Sequence, residues 1–554
     1  MKTDRKLPPV LGLLYTHNPF YLLSTCFVLY AIKRAFQPGV AEYLDPWDLM
    51  ASLTTFTLLA AVTAWVVVRF GKVWEDARSI LLVLVLMFLA ISVSFDELLN
   101  LHSTKIAGPL AFGFCFSVLV TEAILRGLRI RFPAAFRIPF YLMLALFFAY
   151  PVFVSPEVTE LSATETRWRI ASFPACAGAV SLLLLFAVRR GAAYVADNGT
   201  PWRWPWFPWT LFVFLAAAVC ARSYSLSISF DTSVGLVTEM NSAFGGYFLV
   251  PFLLAAMVLL LEIGIVEQLP RLRNGVMAAA GLLVLLAVPL RTGDPTHAVF
   301  LATFTATLAS PVFLTVSALL AFYLYSWLRG VRSAEAGIAA MLLLCSVVGP
   351  ATRNLATLTE PQIWPWAVLG GMQLVLAIHR RSSVRGFAAS VCFAALLTGV
   401  EWSPGMAVWQ TYFPAHVLLL AMAATGLLFR DPFARLLSAL SAATLPVLCL
   451  VTALALQGAD VAEGVIVAYV AGAAALAAAA WYFARDRWFL ASAASIVLGG
   501  GGGASWAAIE AMTRRLGPEV SQPLLYGAAC FAIAALISAH KAGAFDGVAF
   551  RRGG

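Results

Sequence analysis

The chain has 554 residues, of which 61% are hydrophobic and 12% charged, at a mean hydropathy of +0.86. A soluble domain is about 45–50% apolar and about 25% charged, so this chain has too little polar surface to cover a water-facing globule of its size. No polar segment is long enough for a soluble domain, and the net charge of +9 is scattered over short loops, which excludes a nucleic-acid footprint.

The first six residues, Met1-Lys2-Thr3-Asp4-Arg5-Lys6, precede an apolar run that His17-Asn18-Pro19 interrupts and that continues to Ile32. No small-residue cleavage site follows, which predicts a retained first span and not a signal peptide. A window of about 19 residues then predicts an all-α polytopic integral membrane protein of about eighteen spans, with sixteen to twenty allowed. The first nine are 17–36, 47–69, 78–95, 104–126, 135–154, 169–189, 205–225, 244–266 and 273–290. The rest are 298–326, 334–350, 363–379, 386–400, 413–429, 434–456, 463–484, 488–510 and 522–540. Two of these, 334–350 and 386–400, are short for a hydrocarbon core of about 30 Å. The segment 298–326 is long, and Ser310-Pro311 is a candidate kink within it.

Placing alternate loops on one side puts 27 of the 37 Lys and Arg together with the N-terminus, against 10 opposite. Cytoplasmic loops are the basic ones, so both termini are expected in the cytoplasm. Trp202, Trp204, Trp206 and Trp209 alternate with prolines before the seventh span and read as an interfacial anchor. The eight cysteines all lie in apolar runs without a CxxC pair, as small hydrophobes do.

Part of the chain resembles itself. Pro19-Phe20-Tyr21-Leu22-Leu23 recurs as Pro139-Phe140-Tyr141-Leu142-Met143, and Val67-Val68-Arg69 as Ala187-Val188-Arg189. Ser92-Val93-Ser94-Phe95-Asp96 recurs as Ser227-Ile228-Ser229-Phe230-Asp231, and Glu122-Ala123-Ile124 as Glu262-Ile263-Gly264. The order is kept at offsets of 120, 120, 135 and 140. Four spans is an even number, so the copies are expected to be co-oriented about an axis along the membrane normal. The sequence therefore predicts an N-terminal bundle, 1–270, of two four-helix units (about 1–132 and 133–270). An Ala/Gly-rich C-terminal bundle of about ten helices, 271–554, follows and contains the glycine run Gly499 to Gly503.

The repeat singles out acids. Asp96-Glu97 and Asp231 follow the third and seventh spans, with Arg222 nine residues before Asp231 as a counter-charge. Glu122 and Glu262 lie near the inner ends of their spans, within reach of Arg126 and Arg271. An acid inside a bilayer is expensive and faces a partner, a bundle interior or a water path. The six histidines have no metal-binding spacing, and no P-loop, GxGxxG, GxSxG or haem box occurs, so no metal or cofactor is expected. His416, after Pro414, reads first as a hydrogen-bonded structural histidine, with a titrating group as the alternative.

A transporter or flippase of a small or lipid-linked substrate ranks first, on span number, short loops and acids near helix ends. A membrane enzyme acting on lipid-linked sugars, with Asp96-Glu97 as an external acid pair, and a non-catalytic scaffold or sensor are the alternatives. Arg outnumbers Lys 31 to 6 and Ala is abundant, a composition associated with GC-rich coding and hence with a bacterial inner membrane. The lipid bilayer is the one partner the chain implies.

Overall fold

The computed structural model describes residues 20–35, 45–96, 99, 103–155, 162–230, 244–288, 295–352, 357–359, 362–400, 407–459, 461–484 and 487–500, with single positions between 523 and 534. All regular structure among them is helical. Twelve of the helices are long and apolar enough to cross a membrane. The architecture is that of a multi-pass helical membrane protein.

The chain divides into two compact units, residues 1–360 and 361–554. Unit 1 contains α1 (Phe20–Ala35), α2 (Pro46–Arg69), α3 (Trp74–Ser94), α4 (Ser103–Gly127), α5 (Ala134–Val154) and α6 (Ala163–Leu182, extended by Leu185–Val188). It continues with α7 (Trp206–Phe230), α8 (Val250–Val266), α9 (Pro270–Ala287), α10 (Pro295–Thr307), α11 (Pro311–Leu328) and α12 (Ala334–Val347). Unit 2 holds α13 (Ile363–Arg380), α14 (Ser383–Thr398), α15 (Ala407–Leu428), α16 (Pro432–Gly458) and α17 (Glu463–Ala484), with a further helical stretch at 487–500.

Helix starts follow the local chemistry. Pro46, Pro270, Pro311 and Pro432 each sit in a first turn, where a missing N–H costs nothing. Asp45, Ser310 and Asp431 cap three of these ends, accepting the N–H of Trp47 (3.0 Å), Phe313 (3.1 Å) and Ala434 (2.7 Å).

The first nine expected spans overlap α1 to α9, of which α2 to α9 are among the twelve long apolar helices. The tenth does not remain one helix. Ser310-Pro311 starts a new helix, and Ala309, at φ 147°, separates α10 from α11. The joint is tied to the end of α12, because Ser310 N–H donates to Pro350 O at 2.7 Å. At 1.5 Å per residue, α10 (13 residues) and α12 (14 residues) each run about 20 Å, less than a bilayer core. The glycines 501–503, the segment 522–540 and both chain ends lie outside the described residues.

The boundary between the two compact units falls at 360/361. Residue 270 lies inside unit 1, where α8 packs on both α9 and α11. Within unit 1, α2 packs on α3 and α4, α6 packs on α5, α7 and α8, and α11 packs on α9 and α12. Phe88, Phe95, Phe147, Phe173 and Phe230 are fully buried between these helices. Large rings fill volume where helices diverge, and Phe147 and Phe173 meet edge to face at 5.8 Å between centroids.

Candidate functional site

Among the described residues of unit 1, the carboxylates of Asp96, Glu122 and Glu262 are held by arginines. Asp96 lies just past α3, and Arg222 lies sixteen residues into α7. Both are 1% exposed. The pair is bidentate: Arg222 Nη2 donates to Asp96 Oδ1 at 2.8 Å, and Nη1 donates to Oδ2. Nη1 also reaches Ser225 Oγ at 3.2 Å and Nη2 reaches Ser92 Oγ at 3.5 Å, while Ser92 donates to the Phe147 carbonyl. Bringing two charges out of water costs several kcal/mol for each ion, and only close geometry with additional hydrogen bonds offsets this. The fork-to-carboxylate match and the two serines supply both.

Arg222, expected as a counter-charge to the acids after the third and seventh spans, binds Asp96 from 126 residues away. Asp231 and Glu97 lie outside the described residues.

Glu122 sits near the C-terminal end of α4, about 28 Å along that helix from its start. Tyr141 Oη donates to Glu122 Oε1 at 2.7 Å and Arg137 Nη1 donates to the same oxygen at 3.3 Å, both from α5. Arg137 is itself oriented by the Phe132 carbonyl, to which Nη2 donates at 3.0 Å. Arg126, the partner expected from sequence, is 3.6 Å away, but its side chain is 82% exposed, so water screens the attraction.

Glu262, on α8, has no exposed side-chain surface. Arg329, at the end of α11, grips it with Nε to Oε1 at 2.8 Å and Nη2 to Oε2 at 2.9 Å. Tyr325 Oη donates to Oε1, and Arg189 Nε stands 3.9 Å from Oε2. Arg271, expected nearby, is not among these partners.

The two glutamates are therefore held alike. Each accepts from an arginine and a tyrosine four residues apart on one helix, spaced to lie on one helical face. Arg137, Tyr141, Arg189, Tyr325 and Arg329 were not singled out from sequence. An Arg/Tyr pair at i, i+4 towards a helix end marks four of them, Arg137 with Tyr141 and Tyr325 with Arg329, while no such spacing marks Arg189.

His416 lies in unit 2. It bonds Tyr412 O at 2.8 Å and Tyr469 Oη at 2.6 Å, which gives it a structural place between α15 and α17. Among the described residues no three His, Cys, Asp or Glu side chains gather as a metal site. Cys345, Cys392 and Cys449 are buried thiols. Compared with protein-family models, with curated proteins and with solved structures, the chain matches none of them.

Proposed function

We propose that the protein is a transporter or flippase of a bacterial inner membrane, with both termini cytoplasmic and its working acids in unit 1. The observation that carries this reading is Glu262, a fully buried carboxylate held by Arg329, Arg189 and Tyr325. A buried carboxylate with cationic partners inside a helical membrane bundle is a group that ion and proton paths use. Its chemistry suits a coupled carrier: a proton arriving at Glu262 removes the charge that Arg329 grips, and the three helical segments around it lose their tie. Glu122, with 21% of its side chain exposed, is the corresponding group nearer to water.

The tandem repeat belongs to this proposal. Taking α1–α4 and α5–α8 as copies, three helix pairings recur: first on third, second on third and second on fourth. On that equivalence Glu122 and Glu262 occupy the same place in each copy.

The enzyme alternative requires an accessible Asp96-Glu97 pair, and Asp96 is bonded to Arg222 and 1% exposed. That observation weighs against Asp96 as a catalytic acid.

The test uses purified protein in liposomes, read by pyranine for proton flux and by a headgroup-labelled phospholipid for lipid translocation. The reading expects one of the two in wild type. Glu262→Gln is expected to suppress it about tenfold or more, a loss of at least ~1.4 kcal/mol in the barrier, at an unchanged elution volume. Neither activity in wild type, or full activity in both Glu122→Gln and Glu262→Gln, would sink the proposal.

A further inference from the structure

A cleft of about 140 Å³ lies between α3, α4 and α7, at the end of unit 1 where Glu122 sits. Leu82, Val85 and Phe88 of α3, Ile124 of α4, Phe132 and Leu211 are among its walls. The lining is apolar apart from Arg78, Thr121 and Thr210. Both threonine hydroxyls are already satisfied: Thr121 donates to Ser117 O at 2.8 Å and Thr210 to Trp206 O at 2.6 Å. A cleft of this size and character resembles the dry apolar cavities that admit benzene-sized ligands. It suits methylenes and not a polar solute.

One charge stands at its rim. The Arg78 guanidinium lies 5.0 Å above the Trp206 ring and donates to Thr210 Oγ1 at 3.4 Å. Among the described residues it has no carboxylate within ion-pair distance. The turns next to the cleft in sequence carry the exposed cations Arg69, Lys72, Arg129, Arg131 and Arg203 and, against them, the acids Asp76 and Asp197.

The rim is built with care. Asn198 Nδ2 donates to Val195 O at 3.0 Å and to Trp202 O at 2.9 Å, and Arg131 N–H donates to Asn198 O at 2.8 Å. Gly199, at φ 77°, lies where any Cβ would collide with the Arg129 carbonyl. This turn holds Trp202 against Trp74, at 5.5 Å between ring centroids, and closes the cleft with Trp202 and Trp206.

We infer that this cleft is a binding site for an anionic phospholipid, with a stretch of acyl chain in the apolar cleft and the phosphodiester on Arg78. The apolar lining excludes a free anion, and a guanidinium with no carboxylate partner among the described residues favours a negative headgroup over a zwitterionic one. The inference holds whether or not the chain transports anything, because it concerns occupancy alone.

The test reconstitutes the full chain in phosphatidylcholine vesicles doped with a diazirine-chain phosphatidylglycerol or the matching phosphatidylcholine. After illumination, labelled peptides are mapped. Phosphatidylglycerol should label residues 79–88 and 121–132 about fivefold more than phosphatidylcholine, the preference expected from one cation near the headgroup. Arg78→Gln should bring the ratio close to one, and Arg78→Lys should keep most of it. Leu82→Trp should remove both labels from these peptides while labelling of α16 persists, which separates a filled cleft from a misfolded protein. Equal labelling in wild type, or a ratio unmoved by Arg78→Gln, overturns the inference. So does displacement of the label by an isoprenyl phosphate at far lower concentration than by unlabelled phosphatidylglycerol, since the occupant would then be a lipid carrier.

Discussion

In residues 1–360 helices are tied by charged contacts between distant points of the chain, Asp96 to Arg222 and Glu262 to both Arg329 and Arg189. In residues 361–554 helices pack mainly on their sequence neighbours: α13 on α14, α14 on α15, α15 on α16 and α16 on α17. The material there is small side chains. Ala473, Ala474, Ala477 and Ala493 form a cluster with Leu445, Cys449 and Ile496. Lipid is as apolar as a leucine side chain, so helices in a bilayer gain little by hiding apolar surface and must associate through close packing or polar contact. The two units use these two solutions to different degrees. Unit 2 can be assembled hairpin by hairpin, whereas unit 1 requires partners more than a hundred residues apart to meet.

The largest expected effect breaks the polar side of this contrast. Asp96→Asn leaves Arg222 buried with its charge unmatched, a loss of about 3–5 kcal/mol, read as a fall in the unfolding midpoint in detergent. Replacing both partners, as in Asp96→Leu with Arg222→Met, should recover most of that stability. If Asp96→Asn is as stable as wild type, ion pairing does not hold unit 1 together.

The next change acts on close packing in unit 2. A Cβ at Gly426 would stand 2.6 Å from Ser438 Cβ and 3.1 Å from Ala434 O, across the α15–α16 contact. Gly426→Val should therefore cost about 1–3 kcal/mol by overpacking. Hydrogen exchange should rise in α15 and α16 and stay unchanged in α3 and α7; a uniform rise would mean that the two units do not unfold separately.

The smallest effect compares the two glutamates. Glu262→Gln removes a buried bidentate contact and should lower stability by about 1–3 kcal/mol. Glu122→Gln loses a part-exposed one and should cost under about 1 kcal/mol. Equal losses would show that burial does not distinguish the two sites.

The helices of this protein are legible in its hydropathy, and their starts in Asp45-Pro46, Ser310-Pro311 and Asp431-Pro432. The kink suspected at Ser310-Pro311 is a full break, because serine caps and proline begins a helix better than either interrupts one. Partner choice was not legible. Helical periodicity says nothing about which neighbouring helix faces a side chain, so the match of Asp96 to Arg222, 126 residues away, and of Glu262 to Arg329, 67 residues away, is not readable from spacing. The boundary expected at 270 followed the end of the repeat, while the packing of α8 on α9 and α11 crosses it.

The grip on Glu262 has a mechanical consequence. It joins the end of α6, the body of α8 and the end of α11 at one point, like a rivet through three plates. None of these segments can slide along or rotate against another without shearing that fastening. Glu122 joins only two neighbouring helices, α4 and α5, and acts as a hinge pin. Glu262 therefore couples α8 firmly to α11 and loosely to α6, while Glu122 couples α4 to α5.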